Sequence, residues 1–308
     1  MRYAILLLLL LLYGCGGGKQ QPEVENPYVD RVQTLNSSGV AMMQRERWSS
    51  AEKTFQRALL ASQLADDTAL TAQSWYNLAI ARSAMGDRQK AEEAFLQSMT
   101  VAERHEHELT HMRAKLGLAM SRARAGQQAW TPPPLEKKWS VDVHLSAARL
   151  AQYQARMDVA REEYERAANQ SDKKTRIGLT YRAEAHMGLA MLAHASADDE
   201  AARKETEHVL RLCRQVGAPR LAAHTLLLRS RLDIGVSERQ DSLERSLSIY
   251  RALKDRKGQR VSLEALVSLA EDAGEDDQAE YWRQRLDKLP AEIRPEVAPL
   301  SAPETSTP

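Results

Sequence analysis

Apolar and small residues recur along most of the chain in a rhythm of about forty positions. Phe55 and Phe95, the only two phenylalanines, each stand four residues after an alanine, Ala51 and Ala91. Residues spaced i, i+4 share one face of a helix, so the pattern predicts helices and not strands. Further copies fall into the same frame. Gly39, Trp48, Ala51, Phe55 and Ala58 form the first, and Leu118, Ala119 and Gly126 belong to the third. Later come Ala148, Ala160, Tyr164 and Ala167, then Leu189, Ala190, Ala202 and Val209. A weaker copy covers residues 220–254, and the last carries Leu263, Leu266, Gly274 and Ala279. One helix pair cannot bury its own apolar face, whereas stacked pairs can, so a fixed period predicts a stack.

The rhythm breaks once. After Gly126 the chain passes through Trp130, Pro132, Pro133, Pro134 and Trp139. Three consecutive prolines cannot continue a helix, so residues 127–139 read as a Pro-rich connection between two helical lobes, 31–126 and 140–289. Trp130 and Trp139 are expected to pack and not to form an exposed patch. Residues 290–308, with Pro290, Pro295, Pro299, Pro303 and Pro308, are expected to be a disordered tail.

The N-terminus has a different pattern. Arg2 precedes an unbroken apolar run from Tyr3 to Tyr13. A spanning helix needs about 20 apolar residues, whereas the core of an export signal needs about 7 to 15. The run predicts export. It ends in Leu12-Tyr13-Gly14-Cys15, which resembles the lipobox of bacterial lipoproteins. That resemblance implies a signal peptide of residues 1–14, cleavage before Cys15 and acylation of Cys15, followed by a flexible tether over 15–30. Gly16 after Cys15 implies sorting to the outer membrane, with the protein facing the periplasm of a Gram-negative cell.

Composition sharpens the picture at three points. Lys plus Arg number 43 against 42 Asp plus Glu, so the chain lacks the basic excess a dedicated nucleic-acid binder needs. Aromatics are only 5%, which leaves little material for a β-sandwich or barrel and favours an all-α fold. With Cys15 acylated, Cys213 would be the remaining thiol and no intramolecular disulfide could form; a small buried hydrophobe is its expected role.

The second copy is the most specific. Trp75, Leu78 and Ala79 lead to Ala91 and Phe95, and residues 72–99 resemble the tetratricopeptide repeat (TPR) pattern W-x2-L-G-x2-Y followed by A-x3-F, with Arg82 and Ala79 as departures. The resemblance extends in weaker form over residues 31–289. It implies a right-handed α-solenoid of about six to seven helix pairs in two lobes, with a concave groove lined by the first helix of each pair. The period is nearer forty than the family's usual 34 or so. Extra residues such as those from Leu64 to Leu70 are expected to lengthen each second helix and its turn. The acidic turns Asp66-Asp67, Asp198-Asp199 and Glu275-Asp276-Asp277 are expected to cap helix N-termini. On family geometry the groove carries Asn36, Val40 and Met43; Tyr76 and Ile80; Leu116 and Met120; Leu145 and Arg149; Met187 and Met191; and His224 and Leu228.

The sharpest catalytic signal is His107-Glu108-Leu109-Thr110-His111, a literal H-E-x-x-H. In zinc peptidases two such histidines bind the metal from one helix while the glutamate polarises water. Three features argue against it here. Arg113 stands where an apolar residue is usual, the flanking chain is already used by repeats, and the third-ligand candidates Glu184 and His186 match no signature. The favoured reading is therefore a non-catalytic, lipid-anchored adaptor that needs no cofactor and binds envelope proteins or peptides. The alternatives are a zinc metallopeptidase, or a metal-binding protein, using His107 and His111, and a TPR regulator or sensor.

Overall fold

The computed structural model describes residues 26–133 and 135–290. The proposed signal peptide, Cys15, most of the tether and most of the Pro-rich tail lie outside them. Among the described residues the fold is all helical. The first five helices are α1 (Pro27–Gln44), α2 (Trp48–Leu64), α3 (Thr68–Ala84), α4 (Arg88–Arg104) and α5 (Glu108–Arg124). Eight follow: α6 (Val141–Tyr153), α7 (Met157–Gln170), α8 (Arg176–Ala195), α9 (Asp199–Val216), α10 (Pro219–Arg229), α11 (Val236–Ala252), α12 (Arg256–Asp272) and α13 (Asp276–Asp287). None of the described helices is long and apolar enough to cross a membrane. The chain divides into two compact units between Ser121 and Arg122.

The forty-residue rhythm has a simple local origin. Helices α2, α3, α4 and α5 are each 17 residues long and are joined by three-residue turns. Each of these turns holds one residue in the left-handed region, Asp66, Gly86 and Glu106 in succession, as do the turn before α2 with Glu46 and the one after α5 with Gly126. Helix and turn thus repeat every twenty residues. The long period comes from every helix, and not from a lengthened second helix and loop, which corrects the reading of residues 64–70. Asp67, Asp87, Asp198 and Asp255 cap helices by accepting N–H bonds from Leu70, Lys90, Ala201 and Gly258. Glu275, also expected to cap, precedes α13 without a side-chain cap bond.

Within the first unit, α1 packs on α2, α3 and α4 follow, and α1 also touches α3, so that first helices stack on first helices. Phe55 of α2 is buried among Ala51, Leu59, Leu78 and Ala81, and Phe95 of α4 among Ala79, Ala91, Ala94, Ala114 and Leu118. Each phenylalanine fills the space to the next pair, as its place in the repeat predicts. Opposite each ring lies a glycine on a first helix, Gly39 for Phe55 and Gly117 for Phe95, where an added Cβ would stand 2.4 Å from a ring carbon. A notch of this depth admits the whole ring.

The second unit uses the same device with tyrosines. Tyr164 of α7 seats on Gly188 of α8, and Tyr250 of α11 on Gly258 of α12. Burial pushes both phenols up to about 12. The pairs α6/α7, α8/α9, α10/α11 and α12/α13 pack in sequence, and α8 touches both α6 and α10. Cys213 is buried among Leu179, Ala183, Val209 and Val216, and burial pushes its thiol up to about 11. It behaves as the apolar residue expected of it.

The connection after α5 is not a bare linker. Leu135 and Pro132 are buried, and Trp130 and Trp139 are half-buried. The backbone carbonyls of Trp130, Pro132, Leu135 and Lys137 accept bonds from Gln154, Arg156, Arg166 and Gln170 at 3.3, 3.3, 2.5 and 3.1 Å. The Leu135 N–H donates to Glu163 Oε1 at 3.3 Å. Glu163 is 1% exposed, holds His144 Nδ1 at 2.6 Å from its other oxygen, and binds Arg166. The segment therefore runs alongside α7 as an extended strap whose polar groups, unable to pair within a helix, are satisfied by side chains.

Candidate functional site

The first helices of the pairs carry the residues expected to meet a ligand, and each unit shows what became of them. In the first unit Asn36 is buried and bridges α1 to α3. Its side chain donates to Ser74 Oγ at 3.4 Å and accepts from Asn77 Nδ2 at 3.1 Å. Val40 is exposed. Met43 is half-buried against the Phe55 cluster, and Tyr76 and Ile80 are half-buried against the Phe95 cluster. The Tyr76 ring stands 6.2 Å from that of Phe95. Met120 is half-buried, but Leu116 is a core residue.

In the second unit Leu145 and Leu228 are also core residues, not surface ones. Leu145 packs among Ala160 and Tyr164 of α7 and Ala185 of α8. What remains outside is Arg149, Met191 and His224, with Met187 half-buried. Arg149 of α6 pairs with Glu184 of α8 at 2.7 Å, a bond between adjacent first helices. His224 sits 5.8 Å, ring to ring, from Tyr250.

The H-E-x-x-H segment does not present two histidines from one helix. Helix α5 begins at Glu108, and His107 is the residue before it, whose carbonyl accepts the His111 N–H at 3.0 Å. The His107 ring turns to α3, with Nε2 3.0 Å from Thr68 Oγ1. It also stacks on His105 at 6.3 Å. The segment falls at a repeat junction, where His107 closes the turn and only His111 lies within the helix, whereas a helical zinc site takes both histidines from one helix. The suggested third ligands are engaged elsewhere, Glu184 with Arg149 and His186 Nδ1 with Glu205 at 2.6 Å. Among the described residues no group of three or more His, Cys, Asp or Glu is placed to hold a metal ion.

Two arrangements escaped the sequence reading. His186 and His208 meet edge to face with centroids 4.3 Å apart, and the Nε2 atoms of both are buried without a hydrogen bond. The Glu163, His144 and Arg166 cluster that grips the strap was equally hidden, although the i, i+3 spacing of Glu163 and Arg166 is a local ion-pair signal.

No curated protein sequence matches the chain. The apo form of the quorum sensor NprR from B. thuringiensis is similar in structure, with a TM-score of 0.59 at 11% identity, over 85% of this chain and 77% of that one. BtubC (BKLC) from P. vanneervenii overlaps 86% of this chain and 91% of its own at 17% identity, with a TM-score of 0.47. Residues 30–104, which span most of the first two helix pairs, match the family model of the tetratricopeptide repeat.

Proposed function

We propose that the protein is an envelope adaptor, held to the outer membrane through lipid on Cys15 and binding proteins or peptides through the outward stripe of its first helices. The observation that carries the binding half is the run of apolar groups that stacking leaves outside or half-covered, Val40, Met43, Tyr76 and Ile80 in one unit and Met187 and Met191 in the other. Unbranched methionines adapt to varied partners, and a peptide helix or strand can bury such a stripe. The anchor half rests on the Leu12 to Cys15 lipobox.

Crosslinking in intact cells through a C-terminal tag, followed by mass spectrometry, tests the binding half. A small set of envelope proteins should be recovered and lost in a Val40→Glu, Met191→Glu variant, both sites being exposed and so tolerant of charge. Recovery of the same proteins from the variant would refute the stripe as the contact surface. Membrane fractionation of wild type and Cys15→Ala tests the anchor separately, since a wild-type chain found in the soluble cytoplasm would end that reading alone. A TPR regulator or sensor is the second reading, favoured by the structural likeness to the apo form of a quorum sensor.

A further inference from the structure

Helices α9 and α11, the second helices of successive pairs, and the end of α10 border an open cleft of about 350 Å3. It is lined by Glu207, Leu210, Arg211, Arg214, Arg229 and Arg245. Four guanidinium groups and one carboxylate thus line it, and Glu238 and Asp241 beside it pair with two of the four. Arg229, whose side chain is only 19% exposed, is held by Glu207 at 3.8 Å and Glu238 at 3.3 Å. Arg245 is held by Asp241, one turn back on its own helix, at 3.1 Å. Arg211 gives one bond to His208 Nδ1 at 3.2 Å, and Arg214 one to the Leu210 carbonyl at 3.2 Å.

These contacts fix the guanidinium groups without exhausting them. Each has five N–H donors in a planar fork, and these bonds use one or two. Gathering like charges costs energy that a bound anion offsets. Arg211 also acts on its neighbour: desolvation first, then His186, Arg211 and Arg182, hold the His208 imidazole below its ordinary value.

We propose that this cleft binds an anionic ligand carrying two or more phosphate-type groups. Arginine forks match the paired oxygens of phosphate better than a lysine point charge would. One phosphate would occupy one or two forks, and four forks suit a polyphosphate. The volume lies at the lower end of small-molecule pockets, which span roughly 300–1,000 Å3. Among the lining residues only Leu210 is apolar, and none is aromatic, so recognition falls on the charged group itself. The site lies mainly on second helices, with Arg229 at the end of α10 as its one residue from a first helix.

Calorimetric titration of the full chain with inorganic pyrophosphate tests this, with inorganic phosphate at matched ionic strength as comparison. Pyrophosphate should bind about tenfold or more tightly than phosphate, with an affinity that falls as salt rises. An Arg211→Ala, Arg214→Ala variant should lose about tenfold or more in affinity. Both side chains are exposed, and an unchanged thermal midpoint would show the variant folded. Should it not fold, Arg245→Ala carries the same test. Arg283→Ala, paired with Glu271 and Glu280 elsewhere, should bind as wild type. Absence of binding at millimolar pyrophosphate would overturn the proposal. So would undiminished binding in the folded variants, or tighter binding of an oligoglutamate peptide than of pyrophosphate.

Discussion

A methyl group added at Gly188 would stand 2.2 Å from Tyr164 Cζ, and one at Gly258 would stand 2.3 Å from Tyr250 Cδ1. Neither ring can withdraw, because each is buried between pairs. Gly188→Ala is therefore expected to lose about 1–3 kcal/mol, the usual cost of overpacking a core, read as a lower urea midpoint. The turns offer the opposite test. Ala155 and Ala197 occupy the left-handed region with φ of 57°, where other turns of the chain use Gly86, Gly126, Gly217 and Gly274. A side chain there costs about 1–2 kcal/mol, partly offset by the entropy that glycine loses on folding. Ala197→Gly should thus gain roughly 0.5–1 kcal/mol on urea unfolding, and a loss would show that the turn is not strained.

At the scale of helices and their connections, the strap and the histidine pair carry the most weight. Removing the Glu163 carboxylate would strip His144 Nδ1, the Leu135 N–H and Arg166 of a shared partner in a buried site. Glu163→Ala is expected to cost about 3 kcal/mol, the lower range for breaking a buried ion pair, and to free the strap. Trypsin cleavage after Lys137 or Lys138 should then quicken sharply, and an unchanged cleavage rate would mean the strap is held by other contacts.

The helices themselves were legible because the i, i+4 alanine and phenylalanine pairs announce them locally. The strap was legible only as a helix break. Its ligands, from Gln154 to Gln170, lie some twenty to thirty residues away and leave no mark near the prolines. The same limit explains why Leu116, Leu145 and Leu228 were placed on the groove. Spacing assigns a helix face, while the width of the exposed stripe depends on how closely the neighbouring helices pack.

The paired helices α8 and α9 should also respond to acid. His208 has a folded pKa below its ordinary 6.5, from desolvation first and then from His186, Arg211 and Arg182, with Glu205 opposing. Between those two values the unfolded chain binds more protons than the folded one, so stability falls as pH drops below about 6.5. Glu205 works in a lower window. The bond from His186 holds its carboxyl below 4.5, so its contribution is present above that value and is lost as pH falls through the folded value. His208→Gln should flatten the first decline and leave the second. If the urea midpoint of the variant falls between pH 7 and 5.5 as steeply as that of wild type, His208 is not the group responsible.

On the scale of the whole molecule, the consequence of repetition is that stability is local. Each pair in a stack is stabilised by its own helices and its immediate neighbours, so a defect propagates only as far as the nearest-neighbour coupling allows. The chain has two compact units, one ending at Ser121 and the next starting at Arg122. Tryptophans happen to report on them separately: Trp48 and Trp75 in the first, Trp130, Trp139 and Trp282 in the second. Gly117→Val should drive a larger side chain against Phe95 and lower the midpoint of the first unit only, whereas Gly258→Val, against Tyr250, should lower the second only. Single-tryptophan variants followed by fluorescence in urea would separate the two transitions. Equal shifts of both reporters by either substitution would mean that the units unfold as one cooperative body.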